Sequence, residues 1–226
     1  MKRFKWYTVF VPSGSALFFR SLKTRKFTSG SSSGFLPLTE DDSPTDFRFL
    51  WRSSVLAVRF DDFGNQTSHE MWSIEQLSIR FSQAGDILLL RVTDPPRSMR
   101  EFFNFLEHLG GNGTSIQSLI FSSDQQEEIL KKFDSFRLIG LRGVGSSSVH
   151  RIVARIELAS KDGINIDKLP FLEKLRFNAD QTSYEIMEDG LIGQITFMAS
   201  GAVRVAGAVL PYIVAQLEDE LLRARA

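Results

Sequence analysis

Alternation of apolar and polar positions dominates this chain and predicts a protein built mainly of strands. In residues 4–11 Phe4, Trp6, Thr8 and Phe10 fall on one face, the period-two signature of a strand. Residues 47–60 are rich in β-branched and aromatic side chains and close on Asp61-Asp62-Phe63-Gly64-Asn65, a turn sequence. Residues 71–81 and 86–92 follow as a hairpin across Gln83-Ala84-Gly85. Ile87-Leu88-Leu89-Leu90 is apolar at successive positions, which predicts a central strand covered on both faces. Residues 115–121 return as a strand. Residues 136–158 read as two strands joined by Gly143-Val144-Gly145-Ser146-Ser147-Ser148. Segments 172–178, 183–188, 191–198 and 202–206 then make a meander with turns at Asp189-Gly190 and Ser200-Gly201.

The helical period is clear in three places. Ser98 with Glu101 predicts a capping box for a helix ending at Gly110-Gly111, with Met99, Phe102, Phe103, Leu106 and Leu109 as its buried stripe. Ser123 with Gln126 predicts the cap of a second short helix running to Phe133. The third covers 208–225, with Leu210, Ile213, Val214, Leu217 and Leu221 on one face, Glu218, Asp219 and Glu220 away from it, and Pro211 in the first turn. Residues 13–22 fit either type. The fold class expected is therefore α+β: largely antiparallel β-sheet with two short central helices and a long C-terminal helix packed across the sheet. The expected organisation is an N-terminal α+β half, 1–134, holding a basic first strand and a Gly/Ser-rich then acidic loop at 28–46. A meander plus helix at 135–226 follows, or one continuous domain, since no linker marks the boundary.

From Ser115 onward the order strand, helix, several strands and closing helix resembles the helix-grip architecture of lipid-transfer and polyketide-cyclase-like proteins. The resemblance covers about 110 residues, carries no motif, and implies a hydrophobic ligand cavity. Phenylalanine would suit the lining of one.

Composition narrows the chemistry. The chain has no cysteine, which excludes disulfides, thiolate catalysis and cysteine-based metal sites. Residues 1–34 carry seven lysines and arginines and no acid, leaving twenty basic against twenty-seven acidic residues in the remainder. Arginine outnumbers lysine 18 to 9, favouring bidentate contacts with carboxylate or phosphate. The basic, serine-rich start resembles a transit peptide. The apolar run at 6–11 is short of a signal peptide, so the chain is read as unprocessed and cytoplasmic. No apolar run is long enough for a membrane helix.

Motif searches return turns rather than active sites. Gly30-Ser31-Ser32-Ser33-Gly34 fits a nucleophile elbow without its strand and helix, and Asp62-Phe63-Gly64 stands without any other kinase element. Gly143-Val144-Gly145 meets Ser148 where a dinucleotide fingerprint needs glycine. His69-Glu70 with Asp61 and Asp62 is the best local metal cluster and reads as a solvated turn. Charge and shape coincide only at the hairpin around Gly143. There Arg142, Gly143, Gly145, Ser146, His150, Arg151 and Arg155 form a candidate contact for an anion or a partner. Arg151, Val153, Arg155 and Glu157 share the wet face of its second strand. Arg137 and Arg142 have opposite parity and join one face only if a bulge intervenes near Gly140. Lys2, Arg3 and Lys5 form a secondary basic patch.

The function expected is a non-catalytic intracellular binding or assembly module, a subunit presenting arginine-rich strands to an acidic protein or, non-specifically, to nucleic acid. No cofactor, metal or membrane partner is implied. The alternatives are the ligand-binding cavity above and an enzyme assembled from distant residues such as His69 or His150 with a remote carboxylate.

Overall fold

The computed structural model of the chain describes residues 1–38, 45–85, 87–147, 152–169 and 175–223. It is α+β, with extensive antiparallel pairing and four helices among the described residues. Two compact units divide it: Val9–Ile116, and Met1–Thr8 together with Gln117–Ala226. β1 (Lys2–Phe10) opens the chain, and its residues to Thr8 belong to the second unit.

The middle unit contains α1 (Ser15–Thr24), β2 (Ser33–Pro37), β3 (Asp46–Phe60), β4 (Gln66–Ala84), β5 (Ile87–Thr93), α2 (Arg100–Gly110) and the start of β6 (Ser115–Ser118). Its strands lie in the order β2-β3-β4-β5, each pair antiparallel. Register sets Phe47 opposite Ile79 and Phe49 opposite Leu77, so the alternation of both strands delivers one apolar face. Phe18 and Leu22 of α1 and Phe102 and Leu106 of α2 are buried with that face. Phe35 lies 5.2 Å from Phe49 and 5.5 Å from Phe105 between ring centroids, and Phe18 lies 5.6 Å from Phe81. Phenylalanine is thus spent on solid packing, at about 1.5–3 kcal/mol for each fully buried side chain.

Several details depart from expectation. The Gly/Ser tract is not all loop, because Phe35 anchors β2 onto β3. Gly34 permits it, since a Cβ there would stand 2.6 Å from the Phe27 nitrogen. Residues 39–44 of that tract lie outside the described residues. Residues 15–24 are helical. The Ser98–Glu101 box does not form: α2 starts one residue later, with Met99 at its N-cap and no side-chain bond there. The second box forms one residue early, with the Gln125 amide donating to Ser122 Oγ at 3.2 Å and the Ser122 amide to Gln125 Oε1 at 3.0 Å. Leu88, Leu89 and Leu90 are all buried, as a strand covered on both faces requires.

The second unit adds α3 (Ser123–Leu130), β7 (Ser135–Ser147), β8 (Ile152–Ala159), β9 (Arg176–Glu188), β10 (Leu191–Met198), β11 (Ala202–Gly207) and α4 (Leu210–Arg223). The strands run β1-β11-β10-β9-β7-β8. On one face Trp6 meets Phe121 edge-on at 5.7 Å, Phe121 meets Phe197 at 5.6 Å and Tyr184 meets Phe197 at 6.3 Å. α4 belongs to this face: a Cβ on Gly193 would run into Val209 at the helix entry, and Trp6 Nε1 donates to Glu218 Oε1 at 3.2 Å. The acids of α4 do not all face water. Glu220 is buried, 3.6 Å from Lys132 and 3.5 Å from Arg223, because it follows Leu217 by three residues and so shares its face.

Candidate functional site: the open face of the second unit

β7 is paired on both edges, to β8 and to β9, and its register with β9 shifts twice. At the first shift Leu138 faces Tyr184 while Gly140 faces Ser183, leaving Ile139 as an extra residue. Two bonds pin this bulge, from the Ser160 amide to the Ile139 carbonyl at 3.0 Å and from the Ile164 amide to the Leu138 carbonyl at 2.7 Å. Gly140 keeps the strands close, since a Cβ would stand 3.2 Å from Ser183 Cβ. The extra residue reverses the parity that separates Arg137 from Arg142. Arg137 faces Glu185 and Arg142 faces Gln181, two positions that share one side of β9.

That side is turned away from α3 and α4. A cleft of about 760 Å³ lies on it, lined by Arg137, Arg142, Glu157, Lys161, Gln181 and Glu185 among others. Arg137 Nη2 bonds Glu185 Oε1 at 2.6 Å. Both are partly exposed, so the pair contributes no more than about 1 kcal/mol to stability and leaves the guanidinium open to a competing anion. Behind them Ser183 and Thr196 are buried and share a hydrogen bond of 3.0 Å. Arg142 is exposed opposite Glu157, and Arg155 is exposed opposite Val144.

The sequence-predicted residues separate into groups. Arg142 and Arg155 lie on the open face with Arg137. Gly143 and Gly145 are buried inside β7, where a Cβ on Gly143 would strike the Asn178 carbonyl and one on Gly145 would stand 2.8 Å from Leu175 Cδ1. These glycines admit neighbouring groups. With both edges of β7 paired, their backbone belongs to the ladder. Ser146 follows, half-buried, opposite Val153. His150 and Arg151 lie outside the described residues.

The secondary patch divides by parity. Lys2 faces Val205 on the helix side, while Arg3 faces Arg204 and Lys5 faces Ala202 on the open side. Lys5 Nζ sits 5.5 Å from the centre of the Tyr7 ring. Burial pushes the Tyr7 phenol up to about 12 and raises that of Tyr184 as well. Arg3, Arg204, Thr196 and Ser183 form one row across four strands on this same side of the sheet, with Thr196 and Ser183 buried beneath their neighbours. Arg204, Lys161, Gln181 and Glu185 escaped the sequence reading because only the bulge and the register reveal that they share a face with Arg137 and Arg142.

Among the described residues no group of three or more histidine or acidic side chains is placed to hold a metal. Asp61 is committed to its turn, accepting from the Phe63 and Asn65 amides at 2.9 and 2.8 Å. No family model matches the sequence. No curated protein matches it either. The open face must therefore be interpreted from its own chemistry. Among the described residues no helix is long and apolar enough to cross a membrane.

Proposed function

We propose that the chain is a non-catalytic binding and assembly module whose second unit receives an anionic partner on its open face, an acidic protein segment or the phosphate backbone of a nucleic acid. The observation that carries this reading is the bulge at Ile139, which brings Arg137 and Arg142 into one cleft. Arg155 and Lys161 extend the basic surface, while Gln181 and Gln194 supply neutral donors and acceptors beside it. An incoming carboxylate or phosphate would exchange with Glu185 for the Arg137 fork, gaining a bidentate contact. The packing of Phe121 against Trp6 and Phe197 on the other face of the sheet makes the polar open face, rather than an apolar interior, the better candidate for binding.

Fluorescence anisotropy with a labelled polyglutamate peptide and a labelled single-stranded oligonucleotide tests the reading at low salt. Binding to at least one probe is expected, weakened about tenfold or more by Arg137→Glu/Arg142→Glu and declining steeply with salt. Absence of binding to both probes, or equal binding by the variant, would refute it.

A further inference from the structure

The hairpin of β3 and β4 outruns its neighbours. The ladder with β2 ends at Trp51 and the ladder with β5 ends at Ser78, yet β3 and β4 stay paired from Ser53 opposite Ser73 out to Phe60 opposite Gln66. This two-stranded arm extends roughly 25 Å before its turn. A hairpin with both edges open is marginal in water by itself and invites a partner.

Its two faces differ. One carries Ser53, Ser73 and Glu75, bonded to each other at 2.9 and 3.0 Å, then the exposed apolar pair Val55 and Met71, with Ala57, His69, Arg59 and Thr67 beyond them. The other presents Ile74, Trp72, Leu56, Val58 and Phe60 in a stripe from base to tip. Trp72 is 65% exposed, Leu56 63% and Phe60 64%. The stripe exposes on the order of 500 Å² of apolar surface, as much as the largest patch on a typical monomer.

We propose that this stripe is the interface with a second copy of the chain, two arms stacking face to face and antiparallel about a two-fold axis between the Leu56 and Val58 rows. That operation sets Leu56 against the partner arm's Val58, Phe60 over Ser54, Trp72 over Gln66 and Glu70 beside Ser68. Leu56 and Val58 thus meet across the axis, the rings of Phe60 and Trp72 rest on the small Ser54 and the flexible Gln66, and the two Glu70 carboxylates do not face each other, an arrangement an isologous contact can hold. With its polar neighbours the face approaches the ~800 Å² per partner of a standard interface. A lipid surface suits the arm less well: Asp61 and Asp62 sit at the tip beside Phe63, and Glu70 interrupts the stripe. Inserting those carboxylates into hydrocarbon is costly.

Sedimentation equilibrium of the full chain decides the matter. The wild type is expected to be a dimer at about 100 μM, an ordinary affinity for such an area. Leu56→Asp should shift it to monomer, while Val55→Asp on the opposite face leaves it dimeric. Ser68→Glu should weaken association tenfold or more by opposing Glu70 of the other arm, and adding Glu70→Lys should restore it. The charge exchange touches only exposed positions, so it reports on association even where Leu56→Asp disturbs folding. A monomeric wild type, a dimer indifferent to Leu56→Asp, failure of the charge exchange to restore association, or capture of the monomer by phosphatidylcholine vesicles would each overturn the proposal.

Discussion

Asp61 shows how one side chain can govern a long element. Its carboxylate accepts from Asn65 Nδ2 at 2.9 Å and from the Asn65 and Phe63 amides, and these bonds hold its pKa below the usual carboxylate value. A carboxyl group with a depressed folded pKa stabilises the turn at neutral pH and loses that contribution as pH falls through the depressed value. The protection factors of the Phe63 and Asn65 amides against hydrogen exchange should accordingly fall in acid, and Asp61→Ala should show the lowered protection already at neutral pH. Glu220 makes a different case, being buried beside Lys132. Glu220→Leu, which takes the carboxylate away from Lys132, is expected to cost about 2–4 kcal/mol in urea unfolding; Lys132→Met should cost less, since Arg223 still stands beside Glu220, and the double variant less than the sum. The turn at 61–65 was legible in the sequence because its residue types are local; the burial of Glu220 depended on which face of α4 meets the sheet.

At the scale of elements, pattern located most strands and missed the devices that orient them. β3, β10, β11 and the 71–81 part of β4 follow from residue pattern and turn residues, and β5 from its unbroken apolar run. The parity of Arg137 and Arg142 reads as two faces until the extra residue Ile139 is counted, and only the pairing with β9 reveals that count. β2 was hidden because five residues flanked by glycine and serine hold a strand only through Phe35 and its ring contacts. Phe35→Ala should therefore release β2, at about 3–5 kcal/mol in equilibrium unfolding. Gly193→Ala tests the join between β10 and α4: its Cβ would meet Val209 and stand 2.7 Å from the Ala206 carbonyl. A loss of about 1–3 kcal/mol is expected from such overpacking.

The molecule as a whole joins its beginning to its end. Phe4 and Trp6 are buried in the second unit, and Lys2 pairs with Val205 near the other terminus. Removing residues 1–8 should thus cost more than about 3 kcal/mol and lower the thermal midpoint of the second unit, as scanning calorimetry would show. In alkali, a phenol shifted up to about 12 favours the folded state below the ordinary tyrosine range, and the advantage fades between about 10 and 12. A spectrophotometric titration should find Tyr7 ionising late. The same closure constrains synthesis. The middle unit, Val9–Ile116, is contiguous and has every strand of its own ladder sequence once β5 and α2 have been made. β1 must wait for β11, which is translated after every other strand among the described residues. On the ribosome, then, Trp6 and Phe4 stay uncovered while the unit that follows them has already folded, and the second unit closes only once β11 has emerged.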